Sequence, residues 1–530
     1  MGFSGVKDVV VVFALFSLLL AAPAEAQERP CFTAELMKAR GARPPMKDVA
    51  VPPSLPAKSE RDAWGEWPNS SFSENFVLKW GPESLSSNTT SVVLDAFESG
   101  WDRFVDDMDF EAPVGSDQFR FNVYVAETGQ GSLSSYGAAG YFSYDGDGWP
   151  MIVLAKNALD VEDSGAGTAV HEFFHAIQDA MDTWDYVDLG GWYYEATACW
   201  SVPEVLAGDT TYLSFVFGYG LLPNYAVNFF DYFDTGAFTE YHQYGAFLFP
   251  RYLTEHVSDW RLIRDSWQLN NSANDPLQAL MQLLEEDSID FDQTFVDFAS
   301  HNAIWDYEDG DWYSEYVNYY ADYFEDWDCR FSDELGPSGD DQWREANSDC
   351  RPQRYGYNLI RLDNPRSGHA RLVFEGEASG SQNTPSAWGL QWAQKGKQGP
   401  SYVPISSPDG LNAEDVFCDA GEADELWLTV ANLGQRFKDG EEFDYRYRLE
   451  VVDSDPACGD DPEEPVEPPE DTGSPDTEDP GSTPGEVGGI GVAAGGGCAC
   501  SGGSEPTHRS LVALVVVVFG LSRRRLPFRG

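Results

Sequence analysis

His171-Glu172-Phe173-Phe174-His175 lies within an apolar run from Thr168 to Met181. Val170, Phe173, Phe174, Ile177 and Ala180 recur at helical spacing, and no proline or glycine interrupts them. The pattern predicts a buried helix, with N-cap groups available at Asp163 and Ser164. Four residues is close to one turn, so the two histidines point the same way and both imidazoles can bind one zinc ion. Glu172, one step round the helix, reaches a water held in zinc's open position. This is the HExxH arrangement of metal-assisted hydrolysis, with Glu172 as general base. A helix with two core histidines and a stray acid is the bland alternative, and burying those three groups without a metal is costly.

A third ligand must come from elsewhere. One class of such sites continues with glycine three residues and histidine six residues after the second histidine. Gln178 and Met181 occupy those positions, so that class is excluded. Downstream, Gly191-Trp192-Tyr193-Tyr194-Glu195-Ala196-Thr197-Ala198-Cys199-Trp200 reads as a second apolar helix. Glu195 stands among aromatics and alanines, with no basic residue nearby in sequence. A carboxylate there needs a cation, and zinc would supply one. The distance from His175 leaves room for a turn and an antiparallel return, which makes His171, His175 and Glu195 a His₂Glu set with water as fourth ligand.

At these residues the chain resembles the gluzincin metallopeptidases, the thermolysin-like clan, over roughly Asn122 to Glu255. The resemblance implies a zincin fold, Zn²⁺ as cofactor and protein or peptide substrates. Thermolysin-like enzymes carry an aspartate four residues after the ligand glutamate, where it steadies a zinc histidine. Here that position is Cys199, so the surroundings of the histidine must differ. The HEFFHAIQ helix and the Trp-Tyr-Tyr-Glu-Ala-Thr-Ala helix are most similar to those of secreted metalloproteases of myxobacteria. The clan also needs a donor for the oxyanion of the tetrahedral intermediate. Tyr241-His242-Gln243-Tyr244-Gly245 resembles the start of the helix that supplies one in zinc aminopeptidases. His242 falls at the donor's place in that pattern, and Tyr241 and Tyr244 are the fallbacks; an aromatic helix start that merely packs is the other reading.

The ends of the chain bear on where it works. Residues 1–26 read as a secretory signal: Lys7, an apolar core from Val9 to Ala22, and Ala24-Glu25-Ala26 as a cleavage site. The chain has 89 acidic against 33 basic residues and a net charge of −56, which argues against nucleic acid and anionic membrane surfaces as partners. Six cysteines, Cys31, Cys199, Cys329, Cys350, Cys418 and Cys458, precede the tail. Cys329–Cys350 and Cys418–Cys458 are the expected pairs among fifteen possible connectivities, in an oxidising compartment. Residues 456–497 read as a disordered acidic Pro/Gly linker. Residues 498–530 hold Cys498 and Cys500, an apolar run from Leu511 to Leu521 and Arg523-Arg524-Arg525. This tail resembles the myxobacterial C-terminal sorting signal, which implies cutting near the cysteine, surface display, transient membrane contact, and export and sorting machinery as partners. The apolar run is short for a stable transmembrane span, which takes about 20 residues; an ordinary membrane helix is the alternative.

Between the ends, an α+β zincin catalytic domain at 75–326 is followed by a connector at 327–354 and an all-β sandwich domain at 355–455. In the first, 76–80 and 119–125 read as strands around an amphipathic helix at 92–109, and 140–144 with 151–154 as a hairpin preceding the HExxH helix. Asp145-Gly146-Asp147-Gly148 offers carboxylates to Ca²⁺ but is too short for a full ligand loop, and reads first as a tight turn. Alternating runs at 357–362, 370–374, 425–430 and 445–451 give the sandwich. Residues 27–74 read as a proline-rich irregular segment, either a short pro-segment or a wrap on the catalytic unit. The reading that follows is an exported, surface-displayed zinc metallopeptidase; the alternative is a non-enzymatic surface binding or adhesion protein retaining a zincin-like domain.

Overall fold

A computed structural model describes residues 29–40, 44–46, 61, 67–159, 164–184, 190–231, 238–269, 275–365, 367–396, 399–434 and 440–460. The expected secretory signal, the linker beyond residue 460, Cys498, Cys500 and the apolar run at 511–521 lie outside these residues. Glu28–Asp461 form one compact unit of mixed α and β structure whose C-terminal part is rich in strands. No helix among the described residues is long and apolar enough to cross a membrane.

The N-terminal part is built on a six-stranded sheet. Its strands are β1 (Arg29–Cys31), β2 (Asn69–Phe72), β3 (Phe76–Trp80), β4 (Phe121–Ala126), β5 (Ala138–Tyr144) and β6 (Pro150–Ala155), in the order β1-β5-β6-β4-β3-β2. β3, β4 and β6 run parallel, and β5 turns back antiparallel to β6. β4 and β6 are buried along their whole length, as strands covered on both faces must be, and their sequences accordingly read as continuous apolar runs. The expected hairpin is the β5–β6 pair, in which Ser143 faces Met151. In its turn, the Asp145 carboxylate bonds Arg61 at 2.6 Å and accepts from the amides of Asp147 and Trp149. That is the geometry of a tight turn closed by an ion pair. The carboxylate serves the turn and Arg61.

Two helices cover one face of this sheet. α2 (Ser87–Trp101) is capped by Ser86, whose side chain accepts from Thr89 N, and it packs against α3 (Ser164–Met181). The contact is close because Gly100 has no side chain: a Cβ there would lie 2.9 Å from Phe173 Cδ1. Phe173 also meets Phe76 edge-on at 5.1 Å, and Phe174 meets Phe104 at 5.0 Å and Trp200 at 6.0 Å. The two aromatic residues inside the HExxH stretch therefore anchor α3 on its buried side. His171, Glu172 and His175 are left facing the sheet edge.

Within the segment expected to be irregular, the described residues 29–40 carry a strand and a helix and wrap on the six-stranded sheet. Arg29–Cys31 joins the sheet as a parallel strand on the outer edge of β5, with Cys31 opposite Gly140. α1 (Thr33–Arg40) then crosses the other face, where Phe32 and Leu36 pack on Tyr124, Tyr141, Met151 and Val153. Backbone pairing to a free edge and a few apolar contacts suffice here, and neither leaves a periodic signature in so short a run.

Among the described residues from Gly191 to Ala321 the regular elements are helices, the longer ones being α4 (Gly191–Val205), α5 (Trp260–Gln268), α6 (Pro276–Glu286), α7 (Phe291–Ile304) and α8 (Gly310–Ala321). Two sheets follow. β7 (Asp333–Leu335), β8 (Gly339–Glu345), β9 (Tyr357–Asp363), β10 (His369–Gly376), β11 (Ala387–Gly396), β12 (Gly399–Ile405), β13 (Asn412–Phe417), β14 (Ala423–Leu433) and β15 (Tyr445–Val452) form the orders β13-β10-β15-β8 and β12-β11-β14-β9-β7. Leu372, Phe374, Tyr447 and Leu449 of one sheet share a core with Ile360, Trp392, Leu428 and Val430 of the other. The four expected strands are present. The expected connector is not a separate segment, because it supplies β7 and β8. α7 lies on the outer face of the five-stranded sheet, where Ser300 Oγ donates to Thr429 Oγ1 at 3.0 Å and Gly389 leaves room for Val296. Cys329 is bonded to Cys350 and Cys418 to Cys458, the expected pairs; Cys31 and Cys199 are free thiols.

Candidate metal centre

α3 and α4 pack against each other and bring His171, His175 and Glu195 together from two helices. Glu195 Oε2 lies 3.4 Å from His171 Nε2 and 3.6 Å from His175 Nε2. All three residues are buried. A tetrahedral zinc with bonds of about 2.0–2.2 Å to nitrogen and oxygen holds neighbouring donors about 3.4 Å apart. The two separations from Glu195 are close to that spacing, and all three donor atoms lie within 4.8 Å of one another. His171 Nε2 is buried without a hydrogen-bond partner, as a nitrogen reserved for a metal should be. The donor set, two imidazoles and a carboxylate, is of the kind zinc accepts.

The electrostatics of the metal-free chain follow from burial. Desolvation lowers His171, whereas in His175 the neighbouring Glu195 and Glu172 outweigh desolvation and raise it. Burial would raise Glu195, but His175 and His171 overcome it and hold the carboxyl down at about 2. Glu172 is pushed up to about 8 by burial. Two neighbouring carboxylates are thus driven in opposite directions, Glu172 up by desolvation and Glu195 down by the two histidines.

Glu172 lies off the donor set, as the helical spacing requires. Its Oε2 is 3.4 Å from Thr33 Oγ1, and its Oε1 is buried without a hydrogen-bond partner. Gly140 on β5 makes room for it: a Cβ at that position would lie 2.8 Å from Glu172 Cγ and 2.9 Å from Oε1. The sheet edge and the carboxylate are in direct contact only because residue 140 has no side chain.

The histidines are held by partners on their other nitrogens. His175 Nδ1 bonds Gln178 Oε1 at 2.7 Å, and Gln178 Nε2 donates to Tyr194 O and Thr197 Oγ1, both at 2.9 Å. Gln178 thus ties α3 to α4 and fixes the orientation of His175. Cys199, one turn beyond Glu195, places its Sγ 3.8 Å from His171 Nδ1, a weaker partner than a carboxylate. Replacing Gln178 by leucine is expected to weaken zinc binding about 10- to 100-fold, read by competition with a chromophoric chelator. An unchanged affinity would show that His175 is oriented by packing alone.

The three oxyanion candidates separate clearly. His242 is buried among Tyr219, Tyr225 and Phe229, with ring centroids at 4.9, 6.0 and 5.7 Å, and desolvation lowers its pKa to about 3. Tyr241 packs on Phe217 and Phe238. Tyr244 stacks on the His171 ring at 6.4 Å. Of the three, Tyr244 is therefore the one whose ring lies against a metal-ligand candidate. His242, the first choice from sequence, lies in an aromatic surround.

Sequence reasoning missed one member of the site. Cys31 Sγ lies 3.5 Å from His175 Nε2 and 3.7 Å from Glu172 Oε2. Its sulfur and the donor atoms of His171, His175 and Glu195 all lie within 4.8 Å of one another. The only hint in the sequence was a cysteine left without an assigned partner in a chain expected to be exported.

A family profile described as a family of unknown function, DUF6055, matches residues 45–450. This chain belongs to the DUF6055 family. No curated protein matches it. Among solved structures, this DUF6055 chain is similar to the pre-peptidase C-terminal domain of collagenase from Bacillus anthracis, with 10% identity and a TM-score of 0.15 over 22% of this chain and 93% of that one. A family GH115 4-O-methyl-α-glucuronidase with specificity for decorated arabinogalactans gives 8% identity and a TM-score of 0.14, over 65% of this chain and 53% of the other. Likenesses at these scores carry no argument about fold or activity.

Proposed function

We propose that this chain is a zinc-dependent peptidase with a gluzincin-like, zincin-class catalytic part, exported and displayed at the cell surface. The observation that carries the reading is the convergence of His171, His175 and Glu195 at zinc-ligand separations, with Glu172 beside them and outside the donor set. Two disulfides and the strongly acidic composition support an extracellular setting.

Zinc bound by these three side chains would act as a Lewis acid on a peptide carbonyl and would acidify a water molecule. Glu172 takes the proton from the attacking water and returns it to the leaving amine as the C–N bond breaks. Tyr244 donates to the oxyanion. Gly140 brings the edge of β5 against Glu172; β1 pairs with that edge, and an extended substrate strand would take β1's place there. Gln178 keeps His175 in register. The two-sheet region brings His369, Cys418 and Cys458 together, but the two cysteines are joined in a disulfide, and the region is read as a spacer or binding module.

The test is zinc stoichiometry of the purified protein together with peptide-library cleavage, with and without a chelator. Stoichiometric zinc in the intact chain, with chelator-sensitive cleavage at least in Cys31→Ala, is the expected result. Stoichiometric zinc without cleavage, in Cys31→Ala as well as in the intact chain, would instead favour a surface binding protein that keeps the site only for its structure.

A further inference from the structure

We propose that Cys31 is a latch on this site: its thiolate is the fourth zinc ligand, and β1 fills the edge of β5 where an extended peptide substrate would lie, so the chain as it stands is latent. This inference rests on the proposed zinc site and adds its regulation.

Three observations carry it. The first is distance. A zinc–sulfur bond of about 2.3 Å beside a zinc–nitrogen bond of about 2.0–2.1 Å sets sulfur and nitrogen about 3.6 Å apart in a tetrahedral site, and Cys31 Sγ is 3.5 Å from His175 Nε2. The second is the company the sulfur keeps. It is buried within 4.8 Å of the donor atoms of His171, His175 and Glu195, with His171 Nε2 buried without a hydrogen-bond partner, and it lies 3.7 Å from Glu172 Oε2. A thiol set against Glu172 and Glu195 in a buried cavity is poorly placed as an anion unless a cation joins them, and a coordinating metal deprotonates such a thiol. Zinc sites with four protein ligands are closed, whereas hydrolytic sites keep one position for water. With Cys31 in place the fourth position is taken.

The third is the backbone around the cysteine. Arg29 and Cys31 pair in parallel with Ala138 and Gly140 on the outer edge of β5. Phe32 N donates to Gly140 O, and Thr33 Oγ1 accepts from Phe142 N. Thr33 Oγ1 also reaches Glu172 Oε2. One short segment therefore covers the sheet edge, the metal's open position and the general base together. It is held by a single three-residue strand, and α1 is its attachment on the far face. A peptide cannot occupy the same edge until β1 leaves. As a tethered ligand, the thiol acts at an effective concentration on the order of millimolar, above that of a typical free substrate.

The test uses full-length protein loaded with cobalt(II) in place of zinc. The intact chain is expected to show the near-ultraviolet thiolate-to-cobalt charge-transfer band. Cys31→Ala and the near-isosteric Cys31→Ser are expected to bind one cobalt and lose the band, and Cys199→Ala to keep it. With zinc, Cys31→Ala is expected to cleave a peptide library at least about tenfold faster than the intact chain, since the tethered competitor is gone. One cobalt bound by the intact chain without the band would overturn the latch while leaving the His₂Glu site standing. A band that is lost in Cys31→Ala with no gain in cleavage would make Cys31 a permanent structural ligand and overturn latency. Failure of the intact chain and of Cys31→Ala alike to bind metal would instead sink the zinc site itself.

Discussion

Glu172→Gln, made in the Cys31→Ala background, is expected to keep its zinc and lose about two to four orders of magnitude in kcat, the range for a lost general base. Glutamine preserves the shape of the side chain and its fit over Gly140, where the space is set to within one atom. It removes only the ability to take a proton. Glu172 lies outside the group of four converging donors, so metal content should not change. Full cleavage by this variant would remove Glu172 from the chemistry, and loss of zinc would make it a ligand.

Tyr244→Phe is the second large effect. Removing one preorganised donor to a developing oxyanion costs about 2.7–4 kcal/mol, or about 10²- to 10³-fold in kcat, with KM little changed. The phenyl ring retains the stacking on His171 and on Phe215, so the metal site should stay assembled. His242→Phe gives the contrast. It replaces one ring by another within an aromatic pocket and should leave kcat close to that of the parent. Steady-state kinetics on one fluorogenic peptide distinguishes the two. A crippled His242→Phe beside a silent Tyr244→Phe would return the donor role to His242.

How far the sequence could be read follows from the range of each interaction. His171, Glu172 and His175 were legible because helical spacing is local, and Glu195 because a lone acid in an apolar helix demands a cation. Gln178 stood in plain view, one turn after His175 on the same face, but its role depends on the Tyr194 and Thr197 groups of the next helix. The choice between His242 and Tyr244 depended on how a short helical segment rolls against α3, which no local pattern records. Cys31 was illegible because its contact with His175 spans 144 positions and is made by a strand of three residues. In the two-sheet region, strands with one buried face gave alternating patterns and were found. β8, an edge strand of Gly339-Asp340-Asp341-Gln342-Trp343-Arg344-Glu345 with no buried residue, presents the charged sequence that protects sheet edges and reads as a linker.

Zinc content of exhaustively dialysed protein, compared between the intact chain and Glu195→Ala, is the most direct test of the metal centre. The account predicts one zinc per intact chain and none in Glu195→Ala, because the carboxylate that bridges towards both histidines is gone. An intact chain that holds no zinc, or a Glu195→Ala chain that binds zinc with the affinity of the intact protein, would contradict it.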